Sequence, residues 1–130
     1  MNSPEYKSLE GMRVLVVEDN SILQRLMCHI LSQWQVTAHI AGNGKIALEM
    51  LTAGLYDVVL MDIMMPELDG YEATRQIRAM EGEYFRNLPI FAFSATPDSE
   101  MILECKMNGT ISKSPVVREE LYQKLATFLK

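Results

Sequence analysis

Carboxylate side chains end two of the most apolar segments of the chain. Asp62 closes the run that begins at Tyr56, and Glu18 and Asp19 follow the run at residues 13–17. If the two runs are neighbouring parallel strands, the three carboxylates meet at one edge of a sheet. Like charges this close cannot all stay ionised unless a cation lies among them. Hard oxygen ligands with room for water suit Mg²⁺, so the pattern predicts a magnesium site.

Asp62 is the candidate nucleophile of this site. A carboxylate can attack a phosphoryl group and hold it as an acyl phosphate. Glu18, Asp19 and Asp62 would supply the side-chain ligands for Mg²⁺. We expect the main-chain carbonyl of Met64 to complete the set together with water.

Polar groups follow two further predicted strands. Ser94 ends one apolar run and Lys113 follows the last run, so a hydroxyl and an ammonium group could contact phosphoryl oxygens at the same edge. The main-chain N–H groups of Ile63 and Ala95 are further candidate donors. Taken singly, such residues are more often turn or surface residues. Their joint occurrence after four strands of one sheet favours a site.

Short apolar runs alternate with helical stripes along the chain. This alternation predicts an α/β domain in which five parallel strands are connected by five helices through right-handed crossovers. Sheets of this kind carry their sites beyond the carboxyl ends of the strands. The predicted strands span residues 13–17, 36–40, 58–61, 88–93 and 109–112.

Length and composition are typical of one globular domain. The chain has 130 residues, of which 48% are hydrophobic and 22% charged, and a net charge of -5 that gives no reason to propose nucleic acid as a direct partner. No apolar run approaches the roughly 20 residues that cross a bilayer, and the first eight residues carry no signal-peptide stretch. Two distant cysteines predict free thiols. We therefore expect a cytoplasmic protein.

Five segments carry a resemblance to the receiver domain of two-component response regulators. They are VLVVEDN from Val14, NGKIALEML from Asn43, YDVVLMDIMMPELDGYEATRQIR from Tyr56, PIFAFSA from Pro89 and ISKSPV from Ile111. The resemblance covers residues 12–130, with residues 1–11 predicted to be a linker. It implies a flavodoxin-like three-layer sandwich with strand order 2-1-3-4-5.

The resemblance also implies roles for the site residues. Asp62 would be phosphorylated by a phosphohistidine donor, with Mg²⁺ held by Glu18, Asp19 and Asp62. Ser94 would be the hydroxyl that moves towards the phosphoryl group, and Lys113 its partner lysine. The domain would act as a phosphoacceptor signalling module rather than an enzyme.

The fullest match around Asp62 is to receivers attached to hybrid sensor histidine kinases. The implied partner is a histidine kinase dimerisation domain or a histidine phosphotransfer protein, with no membrane contact by this domain. A monomer or weak dimer is expected. Because 130 residues hold no effector domain, we expect the chain to be cut from a larger protein.

The chain departs from the receiver pattern near its last strand. Thr110 occupies the position, three before the lysine, where receivers usually carry an aromatic switch residue. The segment between Ser94 and Lys113 is about one helical turn short, and Ser114 separates the lysine from the usual proline. Lys106 stands where relatives favour glycine or another small residue.

Two alternatives to the phosphoaccepting receiver remain open. A degenerate receiver that only docks to partners is compatible with Thr110 and the short segment, although the complete set of site residues argues against it. A phosphohydrolase with an Asp nucleophile would need a second acid two residues later, where the chain has Met64. A nucleotide-binding domain would need a Gly-rich loop after the first strand, which the sequence lacks.

Overall fold

The computed structural model describes residues 7–65, 68–95, 97–112 and 117–128. Within these residues five strands form one parallel sheet in the order β2-β1-β3-β4-β5, which confirms the predicted order. Each strand begins and ends within two residues of its predicted position. The strands are β1 (Arg13–Val17), β2 (Thr37–Ala41), β3 (Val58–Asp62), β4 (Ile90–Ser94) and β5 (Gly109–Ser112).

The described part of the chain contains six helices, so the predicted number of five is wrong. The additional helix, Glu83–Asn87, has only five residues and no side-chain cap. A helix this short leaves no apolar stripe that can be recognised in the sequence. None of the described helices is long and apolar enough to cross a bilayer. The helices are α1 (Ser21–Gln33), α2 (Gly44–Ala53), α3 (Gly70–Ala79), α4 (Glu83–Asn87), α5 (Ser99–Glu104) and α6 (Val117–Ala126).

The sheet separates two hydrophobic cores. One face is covered by α2, α3, α4 and α5, and the other by α1 and α6. Every residue of β3 and β4 is buried, as expected for parallel strands with helices on both sides. The two central strands therefore hold their carboxyl ends at fixed positions.

Polar caps start the helices at the edge where the strands end. The Asn20 side chain accepts hydrogen bonds from the N–H groups of Ile22 and Leu23, and Asn43 caps α2 in a similar way. Asp69 and Asp98 cap α3 and α5. These caps satisfy N–H groups that a helix start leaves without a helical partner, and they fix four helix starts beside the candidate site.

The segment predicted to be a linker contains a core residue. Leu9 is fully buried, and its N–H donates a hydrogen bond of 2.7 Å to the carbonyl of Trp34. The N–H of Met12 donates in turn to the Leu9 carbonyl at 3.1 Å. Packing thus extends at least to Leu9, while the domain boundary near residue 12 stays a prediction.

Candidate functional site

The register of the sheet brings the predicted acidic residues together. Val17 of β1 pairs with Met61 of β3, so Glu18 and Asp62, the next residues of the two segments, lie side by side. Glu18, Asp19 and Asp62 each offer a carboxylate oxygen, and these oxygens lie within 4.8 Å of one another. The clustering that the strand ends predicted is therefore present in the structure.

Two of these carboxylates are almost removed from water. Glu18 is 1% exposed and Asp62 is 3% exposed, whereas Asp19 is exposed. Coulomb interactions are stronger away from water, and so is the repulsion between neighbouring carboxylates. Three converging oxygen donors, one of them open to solvent, fit a hard divalent cation such as Mg²⁺ that keeps some of its water.

Glu18 is held in place by the start of α1. Its carboxylate accepts a hydrogen bond from the Asn20 N–H at 3.1 Å, and the side-chain amide of Gln24 donates to its main-chain carbonyl at 2.6 Å. Its own N–H donates to the carbonyl of Ala41 at the end of β2. Two segments of the fold, the start of α1 and the end of β2, therefore hold this buried acid.

Ser94 lies on the other side of Asp62. Asp62 pairs with Phe93 of β4, and Ser94, the next residue, is 6% exposed. Ser94 pairs with Ser112, the last residue of β5. Lys113, which follows Ser112 in the sequence, lies outside the described residues, so its predicted role is not tested.

The loop after β3 starts with a polar contact to the site. The N–H of Met64 donates a long hydrogen bond of 3.4 Å to the Asp62 carboxylate. The Met64 side chain is 77% exposed. The expected donors, the N–H groups of Ile63 and Ala95, and the expected ligand, the Met64 carbonyl, stay predictions.

Gly70 is a residue of the site that sequence reasoning did not single out. A Cβ atom at this position would lie 2.3 Å from the main-chain oxygen of Asp62 and 2.9 Å from Cγ of Met61. The Gly70 N–H also donates a hydrogen bond of 3.0 Å to the carbonyl of Ile63. Only glycine lets α3 begin this close to the candidate nucleophile. The Asp69-Gly70 pair was the available signal, but it indicated only a turn.

The structure shows two of the features near β5 in which the sequence departs from the receiver pattern. Helix α5 has six residues, in agreement with the short segment expected before the last strand. Thr110 pairs with Ala92 of β4 and is half-buried. Its small side chain stands where the resemblance led us to expect an aromatic residue.

The fold and the site together define a doubly wound α/β domain with an acidic cluster at the switch point between β1 and β3. The chain belongs to the response regulator receiver domain family, whose model matches residues 14–126. Receiver domains accept phosphoryl groups in two-component signalling, which is the function that the sequence predicted. The same match establishes the resemblance on which that prediction rested.

Hybrid-kinase sequences and receiver structures are among the relatives. The chain is 36% identical to "Probable histidine kinase 4" of Oryza sativa subsp. japonica over 93% of its own length, but spans only 14% of that protein. The receiver domain of a sensor histidine kinase from Pseudomonas aeruginosa, solved with magnesium in its active-site cleft, has 35% identity and a TM-score of 0.82. That comparison covers 92% of this chain and 98% of the other.

A plant receiver gives a similar result. The receiver domain of the histidine kinase CKI1 from Arabidopsis thaliana, solved with Mg²⁺ and BeF₃⁻, is 33% identical with a TM-score of 0.79. The comparison covers 92% of each chain. This chain is thus similar to receivers of histidine kinases in both sequence and fold.

Proposed function

We propose that Asp62 accepts a phosphoryl group from a phosphohistidine of a partner protein, in the presence of Mg²⁺ held by Glu18, Asp19 and Asp62. The observation that carries this proposal is the convergence of three carboxylate oxygens within 4.8 Å at the carboxyl edge of the sheet. The magnesium in the related Pseudomonas structure supports the choice of cation.

The chemistry follows from the residues at this edge. A carboxylate oxygen of Asp62 forms a bond to phosphorus while the nitrogen–phosphorus bond of the donor histidine breaks, and the imidazole leaves. Mg²⁺, when bound, neutralises charge on the transferred oxygens. The main-chain carbonyl of Met64 joins the three acids as a ligand.

Four further groups receive the transferred phosphoryl oxygens in this proposal. The Ser94 hydroxyl and the Lys113 ammonium contact the oxygens from the side of β4 and β5. The N–H groups of Ile63 and Ala95 donate from the main chain. Donors fixed in advance by the fold need no reorganisation during the transfer, and this favours the transition state.

The chain is a phosphoacceptor rather than an enzyme that releases a product. The acyl phosphate stays on Asp62 until water removes it, and Met64 stands where an Asp-nucleophile phosphatase would need its second acid. A docking-only receiver is the alternative. The burial of Glu18 and Asp62 argues against it, since two adjacent buried carboxylates serve no purpose in docking.

Exposed apolar side chains beside the site support a helical partner. Ile22 and Leu26, four residues apart on α1, are 75% and 42% exposed, and Met64 is 77% exposed. An apolar stripe of this kind can pack against helices. It fits a monomeric receiver that binds a helix of a histidine kinase dimerisation domain or of a histidine phosphotransfer protein.

Intact mass spectrometry after incubation with acetyl phosphate or phosphoramidate and Mg²⁺ tests the proposal. We expect one phosphoryl adduct on the wild type, and none after chelation of Mg²⁺ or in Asp62→Asn. Asp69→Asn is the matched control, because it changes an exposed capping acid at the same edge and should leave the adduct unchanged. A wild type that binds Mg²⁺ without forming an adduct would contradict the proposal and favour the docking-only alternative.

A further inference from the structure

The phenol of Tyr71 connects the helix that starts beside Asp62 to the start of α5. Tyr71 is the second residue of α3, and its hydroxyl accepts a hydrogen bond of 2.9 Å from the N–H of Asp98. We propose that Tyr71 couples phosphorylation of Asp62 to the position of α5, in place of the aromatic residue that β5 lacks. The inference rests on the proposed function and names the residue that transmits its signal.

The first step of the coupling is the contact between α3 and Asp62. Gly70 lies so close to the Asp62 main chain that a Cβ atom there would be 2.3 Å from the Asp62 oxygen. Its N–H is also bonded to the Ile63 carbonyl. A shift of the Asp62 main chain therefore displaces Gly70 directly. Tyr71, the next residue, moves with Gly70.

The second step is the bond from Tyr71 to the cap of α5. The Tyr71 ring is 8% exposed and belongs to the same core as Ile102 of α5. Asp98, whose N–H the phenol binds, caps α5 by accepting hydrogen bonds from the N–H groups of Glu100 and Met101. The phenol oxygen thus holds the residue that starts the helix.

Arg75 holds the other end of α5. Arg75 lies one helical turn after Tyr71. The Arg75 guanidinium donates to the Glu104 carboxylate at 2.9 Å and lies 3.8 Å from the sulfur of Met101. Glu104 raises the pKa of Arg75 above its ordinary value through this hydrogen bond. Exposed ion pairs hold side chains only weakly, so this pair does not prevent α5 from moving when the Asp98 end is released.

The third step links α5 back to the site through the loop after β4. Asp98 follows Ser94 by four positions. When the shift passed on from Asp62 through Gly70 displaces Tyr71, the bond between its phenol and the Asp98 N–H breaks, and the start of α5 is released. With Thr110 on β5 too small to act as the switch, the release of this bond carries the change to α5.

Amide NMR of the Tyr71→Phe variant tests the coupling, with Mg²⁺ and BeF₃⁻ as the stable phosphoryl mimic. The variant keeps the ring and removes only the oxygen. In the free protein we expect α5 amides to exchange roughly 2- to 12-fold faster than in the wild type, the factor that one hydrogen bond supplies. Addition of the mimic should then shift the amides of Ser99–Glu104 in the wild type but no longer in the variant.

Tyr122→Phe is the matched control, because the Tyr122 hydroxyl also bonds to the main chain, at the Lys7 carbonyl. It should retain the wild-type response of α5. Intact mass separates the two proposals: Tyr71→Phe should be phosphorylated to the wild-type level. An α5 response of full size in Tyr71→Phe, or none in a phosphorylated wild type, would overturn the coupling alone. Absence of any adduct on the wild type would overturn both proposals.

Discussion

Asp62 occupies a position that is unfavourable for a carboxylate in the absence of a ligand. It is 3% exposed beside Glu18, which is 1% exposed, and two adjacent buried acids repel each other. Removal of that repulsion by a cation is a source of binding free energy that a solvated acidic cluster lacks. The position of these acids was predictable from the sequence, because the end of an apolar run shows where a buried strand ends.

Gly70→Ala should damage both stability and phosphorylation. The added methyl group would lie 2.3 Å from the Asp62 oxygen, so α3 or the loop after β3 must shift. We expect the free energy of unfolding in urea to fall by about 2 kcal/mol or more and the yield of phosphorylated protein to fall with it.

Gly42→Ala is the control for this substitution. No atom lies within 4 Å of a Cβ at that position, and we expect the free energy of unfolding to change by less than about 0.5 kcal/mol. A stable, fully phosphorylated Gly70→Ala protein would contradict the close approach of α3 to Asp62.

Met64 should give the phosphorylated protein a long lifetime. Hydrolysis needs a water molecule aligned opposite Asp62, and the exposed thioether of Met64 cannot orient one. We expect the aspartyl phosphate to outlast seconds, and Met64→Gln to shorten its half-life by roughly 2- to 10-fold through one added hydrogen bond. Intact mass followed over time measures both.

Leu55→Gln serves as the control for Met64→Gln. Leu55 is also exposed, at 68%, but it precedes β3 and lies at the other end of the strand. Its replacement should leave the half-life unchanged. A wild-type half-life of only seconds would refute the role assigned to Met64.

At the scale of elements, the guanidinium of Arg78 joins α3 to three other segments. It donates hydrogen bonds to the carbonyls of Phe85 and Leu88 at 2.8 Å each, to that of Lys106 at 2.8 Å, and to the Asn108 side chain at 3.1 Å. Burial lowers the pKa of Arg78 from its ordinary value, but an arginine with these partners stays charged near neutral pH. One side chain thus secures the loops before β4 and β5.

Arg78→Met should destabilise the fold by about 2–4 kcal/mol, because several partly buried carbonyls lose a charged donor together. Methionine retains much of the apolar stem, so the loss reflects the hydrogen bonds. Urea unfolding measures the effect. Arg86→Met, which changes an exposed arginine of α4, should alter the free energy of unfolding by less than about 0.5 kcal/mol. Equal losses in the two variants would refute the role of Arg78.

The sequence could not reveal the role of Arg78 or the existence of α4. Arg78 lies on a helical stripe, but its acceptors come from segments up to 30 residues away, and no local pattern records that distance. Helix α4 is fixed by tertiary contacts: the Tyr84 hydroxyl donates to the carbonyl of Tyr56 and accepts from its N–H. The main strands were predictable because each is a local apolar run.

Lys106 shows that a local pattern can also indicate a backbone conformation. Its φ of 65° lies in the left-handed region, where glycine is unstrained and a residue with a Cβ is not. The expectation that relatives favour glycine there therefore has a physical reason. The carbonyl of Lys106 in this conformation accepts two hydrogen bonds from Arg78.

At the scale of the whole molecule, the raised pKa values of one buried thiol and one half-buried phenol make the stability of the fold decrease at alkaline pH. Burial raises the pKa of the Cys105 thiol above its ordinary value of 9.0 and that of the Tyr84 phenol above 10.0. The folded state therefore keeps protons that the unfolded chain has already lost. The contribution of these two groups to the free energy of unfolding should be constant below pH 9 and fall as pH rises above their ordinary values.

Cys105→Ala should reduce that alkaline slope, which urea unfolding at a series of pH values measures. The substitution lowers stability at every pH because it leaves a small cavity, so the slope and not the absolute value is the test. The same pH series on the wild type supplies the reference slope. An unchanged slope in Cys105→Ala would show that the thiol does not titrate differently on folding.

The network around Arg78 lies at the amino ends of β4 and β5, whereas the acids of the candidate site lie at the carboxyl ends of β1 and β3. The Arg78 network, which stabilises the fold, and the acidic site therefore lie at opposite rims of one sheet. We call the rim at the amino ends of β4 and β5 the Arg78 rim. Substitutions that raise melting temperature can accumulate on the Arg78 rim without changing the choice of partner or the lifetime of the signal. A lineage of such domains is free to adapt to a new growth temperature and to a new kinase independently.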